Sequence, residues 1–286
     1  HAVQTGRGCR HGCRFCSITA FHRQTYRPRP LEQVLDELRA VPRHFMFVDD
    51  NIIADPDYAL ALFTAMAPLR KRWVSQCSLR IADDPGLLAL ARRAGCVGLF
   101  VGLESLSAAN LEGVGKTINT ESDMAGRIPT IRRARIGVQA AVIVGLDHDG
   151  VDVFRRTLRF LQDVRVDALQ LSVLTPLPGT PLFDEFAAAG RIADPDWSHY
   201  DFRHVVIAPA GLSARDLQDG ADWLYAQFYR LDRIIARTLR GLWLAGPLPA
   251  LFCWRLNMTY RYDNRREGVV GRNPDRKPAG AQASRG

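Results

Sequence analysis

Three cysteines fall within eight residues near the start of the chain: Cys9, Cys13 and Cys16 in the stretch GRGCRHGCRFCSI. A disulfide takes two thiols, and a closed structural zinc site takes four ligands. Three on one loop, spaced C-x3-C-x2-C, suit a metal centre with one position left open. The residues themselves allow three readings. A [4Fe–4S] cluster can be held at three irons by cysteine while its fourth iron binds a small molecule. A zinc ion can take the same thiolates with His11 or His22 as fourth ligand. The thiols can also be packing or redox groups. Gly6, Gly8 and Gly12 let the backbone wrap closely, and Arg7, Arg10 and Arg14 favour thiolates and an anionic group beside them. Cys77, Cys96 and Cys253 are scattered and read as small core residues, so a second centre is not expected.

Such a loop needs a frame to hold it. Strand-like apolar runs over residues 2–5, 44–51, 73–79, 96–105, 137–145 and 168–176 alternate with helical patterns. The helical pattern after Asp55 opens with an N-cap and a proline at the first turn, and the one over 83–95 is stopped by Gly95. Six strands separated by helices, several apolar throughout, predict an α/β fold around a parallel sheet covered on both faces. A doubly wound sheet and an incomplete barrel both fit, and in both the reactive groups sit at the C-terminal strand ends. Those ends carry the cysteine loop, Asp49, Asp50 and Asn51, Ser78, Glu104 and Ser105, Gly145 and Thr175, which should converge on one mouth. Each also has a plain structural reading: turn and cap for Asp49 to Asn51, an ion pair for Glu104 with Lys116, a strand terminus for Gly145. A long amphipathic helix is predicted over 214–240. The expected division is a core over 1–183, a mostly helical extension over 184–262 and a disordered basic tail over 263–286.

Composition narrows the class. At 286 residues, 47% hydrophobic and 24% charged, the chain is an ordinary globular one. No apolar run approaches the roughly 20 residues of a membrane span. Six cysteines are too few for a disulfide scaffold, and no signal-peptide pattern is visible, which together point to the cytoplasm. Of the net charge of +8, a surplus of five lies in residues 255–286, eight Lys and Arg against three acids. The near-neutral body is therefore not expected to bind nucleic acid; an RNA- or membrane-contacting arm is the lesser reading of the tail. His1 rather than Met stands first, with a strand beginning at once, and the chain reads as a fragment lacking an upstream portion.

Cys9, Cys13, Phe15 and Cys16 match the signature C-x3-C-x-aromatic-C, and with the strand order through about residue 183 the sequence resembles the radical S-adenosylmethionine (SAM) superfamily. The resemblance implies a partial (β/α)6 TIM-like barrel with a mostly helical C-terminal extension. It implies a [4Fe–4S] cluster on the three cysteines, whose open iron binds the amino and carboxylate groups of SAM. Reductive cleavage then yields a 5′-deoxyadenosyl radical. By the same resemblance Phe15 lies beside adenine, and Asp49, Asp50 and Asn51 replace the family's usual Gly-Gly-Glu segment near the methionine amino group. Glu104 in GLES and Lys116 hold the polar end of SAM, Ser78 meets the ribose, and Gly145 in VIVGLDHD lets the backbone approach adenine.

The segments YRPRPLEQVLDEL, FVDDNI, GCVGLFVGLESLS, TPLPGTPLF and AAGRI are similar to the radical SAM portion of cobalamin-binding radical SAM proteins. Cobalamin is implied only through an upstream domain that this chain does not contain. Methylation of a small molecule or lipid is the first expectation. Radical rearrangement or oxidation, tRNA methylthiolation, or a non-catalytic zinc- or cluster-stapled module are the alternatives. An electron donor such as flavodoxin or ferredoxin is the expected partner. No catalytic residue can be named, and His199, Tyr200, Asp201, His204 and Tyr229 are pocket candidates that can equally be packing residues.

Overall fold

The computed structural model describes residues 1–116, 119–245 and 247–266. Its strands are β1 (Ala2–Val3), β2 (Gly6–Arg7), β3 (Arg27–Pro28), β4 (His44–Phe47), β5 (Arg72–Gln76), β6 (Cys96–Glu104), β7 (Gly137–Val144) and β8 (Ala168–Val173). Its helices are α1 (Ser17–His22), α2 (Leu31–Ala40), α3 (Pro56–Met66), α4 (Pro85–Arg93), α5 (Ala108–Gly113), α6 (Glu121–Arg133), α7 (Val153–Asp163), α8 (Pro181–Ala188), α9 (Ala214–Phe228), α10 (Leu231–Ala245) and α11 (Pro247–Arg266).

The six-stranded sheet runs β1-β4-β5-β6-β7-β8, with every neighbour parallel. That order is simply the order of the chain. A doubly wound sheet reverses direction at a switch point; this one never does, so the sheet winds one way and is an arc of a barrel. The remaining strands, β2 and β3, form a separate antiparallel ribbon that brackets the cysteine loop and α1.

Strand periodicity divides the sheet into two faces. Along β6, Leu99, Val101 and Leu103 are buried while Gly98, Phe100 and Gly102 are only partly covered; β7 alternates likewise through Val138, Ala140, Val142 and Val144. The first set packs outward on the helices and forms the main core, where Phe63 stacks on Trp73 and Phe47 meets that ring edge-on. The second set lines the lumen. Helix starts follow the chain's own signals: Asp55 caps α3, Asp84 caps α4, and Thr120 with Asp123 forms a capping box on α6.

The predicted helix over 214–240 is two helices. Tyr229 explains the break. Its ring is fully buried against β8, its hydroxyl bonds both the amide and the carbonyl of Leu169, and the chain must turn to place it. The carbonyls this turn frees are taken by arginines: Arg233 bonds Gln227 O, Arg237 bonds Phe228 O and Arg261 bonds Tyr229 O. Helix α9 belongs to the main core through Leu217, Leu224 and Phe228, and Gly220 lets it approach Phe154 of α7, where an added Cβ would fall 2.1 Å from the ring. The predicted tail over 263–286 begins inside α11, which runs to Arg266; its remainder lies outside the described residues.

Candidate active site

The cysteine loop is held in shape by groups other than its thiols. Asp49, at the end of β4, is 1% exposed and accepts from Thr5 N, Thr5 Oγ1 at 2.6 Å and Gly6 N at 2.7 Å. Its neighbour Asp50 accepts from Gly8 N at 3.1 Å. Gly8 has φ +90, and a Cβ there would meet Thr25 O at 2.2 Å, so the turn requires glycine. Further on, Arg14 N donates to Val114 O, Arg14 O accepts from Leu182 N and the Arg14 guanidinium pairs with Glu185. The loop is thus pinned to the chain after α5 and to α8.

Cys9, Cys13 and Cys16 line one cavity of about 430 Å³ at the C-terminal ends of the strands, and none is in a disulfide. Phe15, Asp50, Asn51, Ser78, Glu104, Lys116 and Thr175 line it too. Asn51 Oδ1 accepts from Ser78 N at 3.0 Å, joining the ends of β4 and β5. Phe15 leans on a second apolar cluster around Leu146, Leu182 and Phe186, which fixes one side of its ring.

Glu104 and Lys116 form an ion pair, with side chains 8% and 13% exposed. The register of β6 against β7 shifts between Gly102 and Glu104, and Glu104 takes φ +64, a left-handed conformation that disfavours a side chain by about 1 kcal/mol or more. The bulge turns the carboxylate over the strand. Gly102 leaves the room: a Cβ there would sit 2.2 Å from Glu104 Oε1 and 2.5 Å from Lys116 Nζ. Burial opposes the Lys116 charge, but the Glu104 charge and hydrogen bond, with the Cys13 and Cys16 thiolates, outweigh it and raise the ammonium pKa.

Burial pushes the Cys13 thiol up to about 11 and raises Cys9, while Lys116 pulls both down. The cation facing the thiols is therefore Lys116. Arg7, Arg10 and Arg14, expected in that role, are turned to Gln4, Asp55 and Glu185. His11 lines the cavity, and its pKa is lowered by burial and by Lys116 and Arg80; His22 lies against Arg27 instead.

Two of the expected ligand contacts are not among the residues that line the cavity. Asp49 does not line the cavity, because its carboxylate is engaged by Thr5 and Gly6. Gly145 does not line it either: it has φ +94, and the group it admits is Leu217 of α9, 2.6 Å from a would-be Cβ. Ser105 is buried and bonded by Asn110. The pocket candidates of the extension also pack elsewhere. His199 pairs with Asp194 and His204 with Asp201, Tyr200 donates to Asp194 O, and Tyr229 serves the α9 turn. In their place Phe202 reaches the cavity, its carbonyl accepting from Val173 N at 2.8 Å. Gly102, Asn119, Gln76 and Ser172 are further lining residues that motif matching missed. Strand alternation marks three of these, since Gln76, Gly102 and Ser172 lie on the luminal parity.

The family's sequence profile, the radical SAM superfamily, matches residues 3–161. The chain belongs to the radical SAM superfamily. It is 30% identical to the bacteriochlorophyllide d C-12(1)-methyltransferase of Chlorobaculum tepidum, over 87% of this chain and 57% of that one. It is 29% identical to the hopanoid C-2 methylase of Rhodopseudomonas palustris, over 68% and 39%. It is 29% identical to the anaerobic magnesium-protoporphyrin IX monomethyl ester cyclase of Cereibacter sphaeroides, over 93% and 45%. The chain spans about half the length of the curated relatives it matches. Among solved structures, OxsB with aqua-cobalamin and SAM bound superposes with TM-score 0.60 at 16% identity, over 97% of this chain and 48% of that one. TsrM from Kitasatospora setae, with cobalamin and a [4Fe–4S] cluster bound, gives 0.58 at 19%, over 68% and 41%. Both likenesses are of fold, and they place this radical SAM chain among partial barrels.

The donors present fit the cluster that a radical SAM enzyme uses. Three thiols, none in a disulfide, line one cavity. Three cysteine ligands match a [4Fe–4S] cluster with one iron open.

Proposed function

We propose that Cys9, Cys13 and Cys16 hold a [4Fe–4S] cluster and that SAM binds beside it, with Lys116 taking the SAM carboxylate and Glu104 its amino group. The observation that carries this is the Glu104–Lys116 pair on the wall of the cavity the three cysteines line. A buried carboxylate and ammonium side by side present the two charges that an α-amino-acid headgroup needs, in complementary order. Asp50 and Asn51 flank the same end, Ser78 faces the ribose and Phe15 offers its ring to adenine. A volume of about 430 Å³ falls in the range of small-ligand sites, roughly 300–1,000 Å³. When bound, the cluster supplies the electron that cleaves a carbon–sulfur bond of SAM. The chain's own residues bind and orient the cofactor and, with Phe15 and Phe202, cover it from water.

The substrate we assign is an apolar small molecule or lipid, and the reaction its methylation; the names of the relatives support this. Cobalamin belongs to the reading only through sequence outside this chain. The electron donor is a small acidic carrier of the flavodoxin or ferredoxin type, for which Arg10 and the 81% exposed Phe21 beside the loop form a cationic, partly apolar landing.

Anaerobic reconstitution with iron and sulfide tests the site. The wild-type chain and Cys253→Ala should show the broad absorption of a [4Fe–4S] cluster near four irons per chain and cleave SAM on reduction. Cys13→Ala should do neither. Equal behaviour of Cys13→Ala and Cys253→Ala overturns the assignment.

A further inference from the structure

The last two helices carry an apolar stripe that the described residues leave uncovered. On α10, Leu231, Ile235, Leu239 and Leu242 are 44%, 42%, 60% and 47% exposed, and Trp243 is 88% exposed. At about 100° per residue these five fall on one face. The stripe cannot roll inward, because the opposite face is locked. Ile234 is fully buried, and Arg237 stacks on Phe228 at 4.1 Å while bonding Phe228 O and Asn257.

Sequence sharpens the picture at the hairpin tip. Between Arg240 and Arg255 run fourteen residues without a charge, GLWLAGPLPALFCW. Leu242, Trp243 and Leu251 in this stretch are exposed. Its two prolines and its length suit a segment lying in an interface, and among the described residues no helix is long and apolar enough to cross a membrane. Charge completes it. Arg233 and Arg237 serve the locked face, but residues 255–286 hold eight Lys and Arg against three Asp and Glu, so five of the eight net positive charges follow the apolar stretch.

We propose that the α10–α11 hairpin docks the protein on an anionic lipid bilayer, with the stripe and Trp243 in the headgroup region and Arg255, exposed one turn beyond Leu251, with the basic sequence that follows it, at the phosphates. A second copy meets the apolar stripe but sets like charge against like. A nucleic acid answers the charge but offers no apolar surface to aliphatic side chains such as Ile235 and Leu239. A bilayer rich in acidic headgroups answers both. The inference is independent of the chemistry proposed above, since the stripe lies outside the cavity.

Flotation of the whole cluster-loaded chain with vesicles tests it. Binding should appear with phosphatidylcholine–phosphatidylglycerol vesicles, weaken with phosphatidylcholine alone and fall with added salt. The double variant Leu239→Glu with Trp243→Glu should bind at least about fivefold less, with iron content and Tm retained. Trp243→Ser alone serves if the double variant does not fold. Leu60→Glu, at an exposed leucine of α3, should float like wild type. The proposal is overturned if neither vesicle binds, or if Leu60→Glu loses as much as the double variant. It is equally overturned if Trp243→Ser instead dissolves a lipid-free dimer, or if the chain prefers RNA to the anionic vesicles.

Discussion

Lys116 does two jobs, and they separate on substitution. It lowers the pKa of the Cys9 and Cys13 thiols and it pairs with Glu104. Lys116→Met should weaken SAM binding by about 10- to 100-fold, the worth of one charge-assisted hydrogen bond, while reconstituted iron stays near the wild-type level. Calorimetric titration of SAM into the cluster-loaded variant checks this; unchanged affinity removes Lys116 from the headgroup site. The motif made Glu104 and Lys116 legible as a pair before any coordinates. Asp49 stands apart from the cavity, although the motif treats three adjacent polar residues alike. The strand period separates the first two: Phe45 and Phe47 face the helices, so Asp49 shares their side, whereas Met46, Val48 and Asp50 face the lumen; Asn51, beyond the strand end, lines the cavity outside that alternation.

At the scale of the element, the end of β6 is where the sequence was least transparent. Nothing in CVGLFVGLES announces a register shift or a left-handed glutamate, because bulges depend on the partner strand rather than on local propensity. Gly102 is the residue that makes the bulge useful. Gly102→Ala should drive the Glu104–Lys116 pair off the cavity wall, reducing SAM affinity by about tenfold or more with little loss of fold. Affinity like that of wild type, with an intact cluster, contradicts this role. The predicted helix over 214–240 failed for a related reason. Its amphipathic period continues across Tyr229, and only the buried hydroxyl on Leu169 breaks it.

The whole molecule shows its coupling through Asp149. This carboxylate accepts from Gly145 N and Leu146 N after β7 and from Asn110 of α5, and burial lifts its pKa to about 6. A carboxyl raised above its ordinary value of 3.8 adds stability below that value and loses it as pH rises through about 6. Wild type should therefore gain on Asp149→Asn as the pH falls from 7.5 to 5, by about 1 kcal/mol in denaturant unfolding. A relative loss on acidification reverses the sign and refutes it. At this scale the sequence was most legible: six strands, their helices and their common mouth follow from alternation alone. Alternation did not decide barrel against doubly wound sheet, because strand order is a non-local fact; the family resemblance carried by the cysteine motif gave the partial barrel that the strand order bears out.

The anchoring of the cysteine loop by Asp49, Asp50 and Arg14 has a consequence for the protein without its iron. Small zinc modules are unfolded until metal arrives, so their metal is part of the folding reaction. Here backbone amides and a buried carboxylate shape the loop through groups other than its thiols. The iron-free chain should therefore keep the circular dichroism and Tm of the cluster-loaded one to within a few degrees, and regain its iron without a refolding step.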